Sequence, residues 1–514
     1  MRRRTGHPGA VLPLCRRSGR GALSGGGTQG KPNILLIAVD QMRGDCLGAL
    51  GHPVAETPNL DRLARAGVLF RSAYSATPTC VPARAALMTG MSQRSHGRIG
   101  YQDCVPWEYE HMLAGELASA GYHTQCVGKM HVFPARNLCG FHNVVLHDGY
   151  LHHNRSRHNN SVNGHFDQVD DYLTWLRQTA GAHLDITDNG LDCNASAAAR
   201  PWHLAEELHP TNWTVTQSID FLRRRDPGKP FFLFTSFVRP HAPLDPPQAY
   251  FDMYKDLELP DPPIGDWVDV EAAKTSGSSD PVTHFGVVPK RRLDRSRAAY
   301  YALITHIDDQ IGRLLNALYE YGVSQNTVVL FVSDHGELLG DHHYFRKALP
   351  YEGSAKVPFI VSDPGGMLNL RRGSSSAEVI ELRDVMPTIL EIAGAPIPDT
   401  VDGCSVLPLC RGEQAEWRAY IHGEHSYGAL SNHFVTDGQE KYIWFSQSGE
   451  EQLFDLVGDP RELVNLAASP HWQNRLAMWR KRLAEELEGR EEGYVQNGTL
   501  VAGRPPRLLL TRAT

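Results

Sequence analysis

At 514 residues the chain exceeds what one hydrophobic core usually serves, so a large domain with a smaller companion is expected. Apolar and charged contents of 41% and 21% suit a globular enzyme, and a formal net charge of -7 argues against the strongly basic domain of a nucleic-acid binder. Nine scattered cysteines without a C-x-x-C pair argue against a disulfide scaffold or a zinc knuckle, and no apolar run approaches the length of a membrane span.

Residues 1–30 are basic and Gly-rich, and their apolar stretch, 10–14, is short and broken by Pro13. They read as a disordered tail rather than a secretory signal, which with the cysteine usage leads to a cytoplasmic assignment. Residues 33–39 form a continuous apolar run that suits a strand buried on both faces, and the run ends at Asp40-Gln41. Thr57-Pro58 opens a helix that Gly67 ends, and residues 68–74 read as a strand. A helix follows over 80–89: Pro82 suits its first turn, Ala85 to Met88 are good helix formers, and Gly90 stops it. Residues 111–120 predict another helix and 122–127 another strand. This βαβ rhythm predicts a mostly parallel sheet with helices on both faces.

Residues 141–199 are polar, His- and Asn-rich and without clear periodicity, and read as a long insertion or lid near a pocket mouth. The sheet resumes at 231–237, and 249–289 is again loop-like. Ile304, Ile307, Ile311, Leu314, Leu315 and Leu318 mark the apolar stripe of a long amphipathic helix. Residues 327–332 form a second fully buried strand, which ends at Ser333-Asp334. After about residue 374 come a helix over 385–394, four short strands between 419 and 455, and a helix over 472–487. The expected architecture is α/β. A large mostly parallel or mixed sheet flanked by helices fills residues 31–374, and a smaller antiparallel sheet plus helix fills 375–514.

Cys80 sits at a predicted helix N-terminus, where free N–H groups and the dipole favour negative charge. Arg84 lies one turn along the same face and can share an anion with it. In an open α/β sheet, ligands bind beyond the carboxyl ends of the strands. There Asp40, Gln41, Asp334 and His335 would offer two acids, an amide and an imidazole to a divalent cation. Each feature also has a plainer reading: an acid after a strand caps a turn, and a lone Cys is usually a small buried hydrophobe.

The run Cys80-Val-Pro-Ala-Arg84, with Leu87 and Thr89-Gly90 behind it, resembles the signature of the sulfatase family, in the alkaline-phosphatase superfamily. Gly128-Lys129-Met130-His131 looks like the family's Gly-Lys-x-His element, and Arg239-Pro240-His241-Ala242-Pro243 is similar to its Pro-His-x-Pro element. Asp334-His335-Gly336-Glu337 through His342, then Lys347 and Tyr351-Glu352, resembles its late motif, and Leu453 to Leu456 with Asp459-Pro460 its closing segment. The resemblance runs from about Pro32 to Leu466, and so many elements in one order are improbable by chance.

The resemblance implies that a separate formylglycine-generating enzyme oxidises Cys80 to formylglycine, an aldehyde that hydrates to a geminal diol. It implies a cation held by Asp40, Gln41, Asp334, His335 and residue 80. Calcium is the expected ion. Gln41 where an acid is common removes a charge, which keeps manganese and magnesium open. Arg84, Lys129, His241 and Lys347 would meet the sulfate, His131 would serve the diol, and His241 or Lys347 would protonate the leaving oxygen. The implied activity is hydrolysis of a sulfate monoester on a small molecule or glycan. Two other readings stand beside it: a phosphonate monoester or phosphodiester hydrolase using the same machinery, and a non-enzymatic anion- or glycan-binding protein with unconverted Cys80.

Overall fold

The apolar run after Pro32 forms β1 (Asn33–Asp40), buried along its whole length. Residues 30–149, 170–276 and 279–511 are described by the structure, a computed structural model. Apart from Gly30, the tail expected over 1–30 lies outside the described residues, as does part of the 141–199 insertion. β1 is flanked by β5 (Phe231–Pro240) and β6 (Thr327–Ser333), both parallel to it. β3 (His123–Gly128) and β4 (Asn143–Leu146) extend the sheet beyond β5, again in parallel. Beyond β6, β7 (Phe359–Ser362) runs antiparallel to both its neighbours, and β2 (Gly67–Tyr74) then pairs in parallel with β8 (Ser374–Glu381). The order is β4-β3-β5-β1-β6-β7-β2-β8, an eight-stranded mixed sheet.

The pleat of β1 shows why both faces are apolar. Ile34, Leu36 and Ala38 enter one core with α2 (Cys80–Thr89), α3 (Leu113–Ser119) and α6 (Val385–Ala393). Leu35, Ile37 and Val39 enter another with α1 (Pro58–Arg65), α4 (Pro210–Arg224) and α5 (Lys290–Glu320). The predicted stripe on α5 is buried except at Leu315, which is half-buried. Thr57 makes no side-chain cap to α1, and its hydroxyl bonds Asp61 instead.

A four-stranded antiparallel sheet follows: β9 (Ile421–His425), β10 (Asn432–Thr436), β11 (Glu440–Phe445) and β12 (Glu451–Asp455). One face is covered by α7 (Gln473–Leu487), through Leu476, Trp479, Leu483 and Leu487. The other packs Phe434, Ile443 and Phe454 onto Tyr74, Leu338 and Tyr351 of the large domain. Among the described residues no helix is long and apolar enough to cross a membrane.

Three boundaries differ from the sequence reading. The division at 374/375 falls at the first residue of β8, which belongs to the large sheet, and α6 joins the same core. β8 is an edge strand whose first half is a half-exposed Ser run, so it carries no apolar alternation to announce it. The 141–199 stretch contains β4 and a helix, Asp171–Ala180, and the 249–289 stretch contains helices Gln248–Tyr254 and Val270–Thr275. Most of these elements are shorter than the window in which a helical or strand period shows.

Candidate active site

Four adjacent parallel strands, β3, β5, β1 and β6, end at one edge of the large sheet, and each delivers a polar residue there. The register sets Asp40 beside Pro240, Val39 beside Ser333, and Gly128 beside Ser236. Lys129, His241, Asp40 and the Asp334-His335 pair therefore converge. Gly128 has φ +97, and a Cβ there would stand 1.9 Å from the carbonyl oxygen of Ser236, so only glycine makes the turn into Lys129. β2 runs the same way and leads through an extended Thr79 into α2, which begins at Cys80. Every residue of α2 is buried, and Gly90 closes it in the left-handed conformation.

The Sγ of Cys80 lies 3.2 Å from Nε2 of His335, 3.6 Å from Oδ1 of Asp40 and 3.5 Å from Nζ of Lys347. Ligand atoms of Asp40, Cys80, Asp334 and His335 all lie within 4.8 Å of one another. His335 donates from Nδ1 to the Gly336 carbonyl at 2.9 Å, which turns Nε2 toward the cluster, the arrangement a metal-binding imidazole needs. Two carboxylates, an imidazole and the residue-80 side chain in one buried cluster thus fit a divalent cation.

Cations brace the cluster. Arg84 is buried, with Nε 2.9 Å from Asp334 Oδ2 and Nη1 donating to the Lys129 carbonyl (2.8 Å) and to Ser236 Oγ (3.0 Å), while Nη2 has no partner among the described residues. Nζ of Lys129 donates to Asp40. Burial pushes the Asp40 carboxyl up, but Lys129 and His241 outweigh it and hold it well below the usual range. Asp334 is raised, by burial and by Asp40. Burial and Asp40 push the Cys80 thiol up, yet Lys129, Lys347 and His335 bring it well below its ordinary value.

Gln41 has φ +75, its N–H donating to Asp334 Oδ1 at 3.2 Å and its carbonyl accepting from Tyr300 at 2.6 Å. Its Oε1 accepts from Lys347 Nζ at 2.7 Å. His241 donates from Nδ1 to the Ala242 carbonyl at 2.7 Å, and its Nε2 has no partner. Burial and Lys347 push His241 well below the usual histidine range. His131 has Nε2 3.4 Å from the Tyr101 hydroxyl and 3.6 Å from Asp103 Oδ1. Burial and Lys129 pull its pKa down, but Asp103 and Cys80 raise it above the ordinary value.

Sequence reading passed over several neighbours. Glu337 binds the Gln41 amide, and Ser196 binds Glu337 at 3.1 Å. His425 of β9 is buried with neither ring nitrogen partnered, and Asn432, directly opposite it on β10, donates to the Ala348 carbonyl at 3.2 Å, in the loop that carries Lys347. Glu337 stands inside the late motif, but its contact with Gln41 is not written in the spacing; Ser196 comes from the insertion and His425 and Asn432 from the C-terminal sheet, where no spacing ties them to the motifs. Asp341 sits 2.8 Å from Arg43 and His342 packs on Trp267, so both brace their loop.

The sulfatase family model matches residues 32–395, and the model of the C-terminal region of N-sulphoglucosamine sulphohydrolase matches residues 340–489. An arylsulfatase of Clostridium perfringens is 56% identical over 475 residues, which cover 92% of this chain and 98% of that protein. A multifunctional alkaline phosphatase superfamily protein of Trinickia caryophylli is 30% identical, over 86% of this chain and 92% of its own length. Among solved structures, the phosphonate monoester hydrolase of Agrobacterium radiobacter superposes with a TM-score of 0.72 at 25% identity, covering 92% of this chain and all of that one.

Proposed function

The chain belongs to the sulfatase family and is a hydrolase of sulfate esters, and from that premise we propose that its nucleophile is formylglycine made from Cys80 by a formylglycine-generating enzyme. The observation that carries this reading is the convergence of Cys80 with Asp40, Asp334 and His335 within 4.8 Å. The 56% identity to an arylsulfatase supports an aryl sulfate as substrate. A glycan sulfate remains a substrate to test beside it.

Once converted, residue 80 would supply a hydrated aldehyde, whose one hydroxyl could displace the alcohol from sulfur and whose other would let the C–O bond to sulfate break as the aldehyde returns. A cation held by Asp40, Gln41, Asp334, His335 and residue 80 would neutralise sulfuryl oxygens and lower the pKa of the attacking hydroxyl. Calcium is proposed on the oxygen-rich donor set, with manganese or magnesium as the alternatives that one imidazole allows.

The remaining steps belong to the chain's own side chains. Arg84 fixes Asp334 and leaves Nη2 for a substrate oxygen, and Lys129 and Lys347 surround the same point with positive charge. His241 carries its proton on Nδ1 and presents a bare Nε2, so it accepts and cannot donate toward the ester. Protonation of the leaving oxygen therefore falls to Lys347. His131, held by Asp103 and Tyr101, takes the proton of the second hydroxyl when sulfate is released.

Intact mass after co-expression with the converting enzyme tests the core of this reading, since –CH₂SH becoming –CHO removes about eighteen daltons. Conversion together with turnover of an aryl sulfate supports it, and an active protein whose Cys80 stays a thiol sinks it. A second activity on phosphonate monoesters is favoured by Gln41 standing where an acid is common and by the likeness to the Agrobacterium hydrolase. Comparing aryl sulfate with aryl phosphonate monoester at a matched leaving group measures it. A cytoplasmic location completes the proposal, drawn from the scattered cysteines of the sequence, which form no C-x-x-C pair, and tested by cell fractionation.

A further inference from the structure

We infer that Glu337 is a positioning residue that dictates which end of the Gln41 carboxamide faces the cation; this rests on the reading of Gln41 as a ligand. Glu337 is 1% exposed, and both its oxygens are occupied by donors. Oε1 accepts the backbone N–H of Leu339 at 2.9 Å and that of Arg346. Oε2 accepts the hydroxyl of Ser196 at 3.1 Å and Nε2 of Gln41.

A carboxylate can only accept, so the end of the amide that meets it must be the NH₂ end. Turning the amide over would press two acceptors together in a buried place. Oε1 of Gln41 is thereby left on the far side, beside Lys347. The backbone of residue 41 is equally determined, by Asp334 at its N–H and Tyr300 at its carbonyl. Nothing about Gln41 is free to choose.

The arrangement also explains why an amide serves at position 41. An aspartate there would set its own charge against the buried Glu337, whereas Gln41 takes Glu337's charge one hydrogen bond away from the cation. Gln41 and Glu337 thus act as a matched pair. Glu337 further ties this pair to Ser196 in the insertion and to Arg346, the residue before Lys347, so one buried anion sets three segments around the site.

The test is calcium affinity of the full chain by titration calorimetry, with melting temperature in chelator read alongside to report folding. Glu337→Gln keeps the shape but lets the amide turn over, and it is expected to weaken calcium binding 10- to 100-fold. Gln41→Asp is expected to weaken binding despite its added charge. The double variant Gln41→Asp with Glu337→Gln is expected to regain about tenfold over Gln41→Asp alone, because acceptor and donor are exchanged across the pair. Wild-type affinity in a folded Glu337→Gln, or a double variant no better than Gln41→Asp, overturns the positioning role. If Glu337→Gln does not fold, Gln41→Asp alone decides, and undiminished calcium affinity in that folded variant overturns the matched pair. Gln41→Ala separates the two layers: undiminished affinity there removes Gln41 as a ligand and this inference with it.

Discussion

Nζ of Lys347 lies 2.7 Å from Oε1 of Gln41 and 3.5 Å from Sγ of Cys80, so one ammonium group spans the amide and the residue-80 sulfur. In the proposed mechanism Lys347, not His241, gives the proton, since His241 holds its Nδ1 proton on the Ala242 carbonyl and its burial disfavours a second proton on Nε2. Lys347→Ala should therefore lower kcat/KM for aryl sulfates by roughly 10²–10⁴, the usual worth of a general acid. The loss should grow as the phenol becomes a poorer leaving group. A series of aryl sulfates of graded phenol pKa measures this, and an equal loss across the series would take Lys347 out of the role.

Arg84 is the cation on which the Asp334 carboxylate depends. Both are buried, with 2.9 Å between Nε and Oδ2. Removing one partner of such a pair leaves a buried charge without compensation, which costs about 3–5 kcal/mol. Arg84→Met should lose stability on that scale in urea unfolding. Arg84→Lys should lose part of it, since one ammonium cannot reproduce the contacts to Asp334, Ser236 and the Lys129 carbonyl together. A loss below about 1 kcal/mol for Arg84→Met would mean that the pair is relaxed or solvated.

Much of the fold was legible because its central strands are buried on both faces. β1 and β6 announce themselves as unbroken apolar runs that stop at acids, and α2 by Pro82 and Gly90. The convergence was legible where polar residues close the strands, as with Asp40, Asp334 and His335. What stayed hidden is held by contacts between distant parts of the chain. Glu337 meets Gln41 across 296 residues, and Asn432 reaches the Lys347 loop only because the second sheet docks there. β8 was hidden for a different reason: an edge strand need not be apolar to pair.

Gly128 is the turn on which Lys129 depends. Its φ of +97 disfavours any side chain, and a Cβ would lie 1.9 Å from the Ser236 carbonyl oxygen. Gly128→Ala should cost roughly 1–3 kcal/mol from the backbone conformation alone, with the clash adding to it. Urea unfolding reads the stability. Because β3 and β5 must separate at this point, aryl sulfatase activity should fall further than the stability loss explains. Wild-type stability in this variant would contradict the close approach of the two strands.

Arg490 joins the segment after α7 to β9 through a two-pronged contact with Glu424, 2.9 Å at each prong, and also binds Glu492. Burial pushes the Glu424 carboxyl up, but Arg490 outweighs it and holds the group at about 2, against an ordinary value of 4.5. The sign follows from proton counting. Between these values the unfolded chain binds the proton and the folded chain does not, so acid favours unfolding. The contribution is fully present above pH 4.5 and fades as pH falls toward 2. From pH 5 to pH 3 this one group should remove about 2 kcal/mol. Urea midpoints of wild type and Glu424→Gln across that range isolate it, because the amide does not titrate. The wild type should lose stability more steeply by about that amount. Parallel profiles would mean that the buried pair exchanges its proton no differently folded than unfolded, and would remove Glu424 as a source of acid sensitivity.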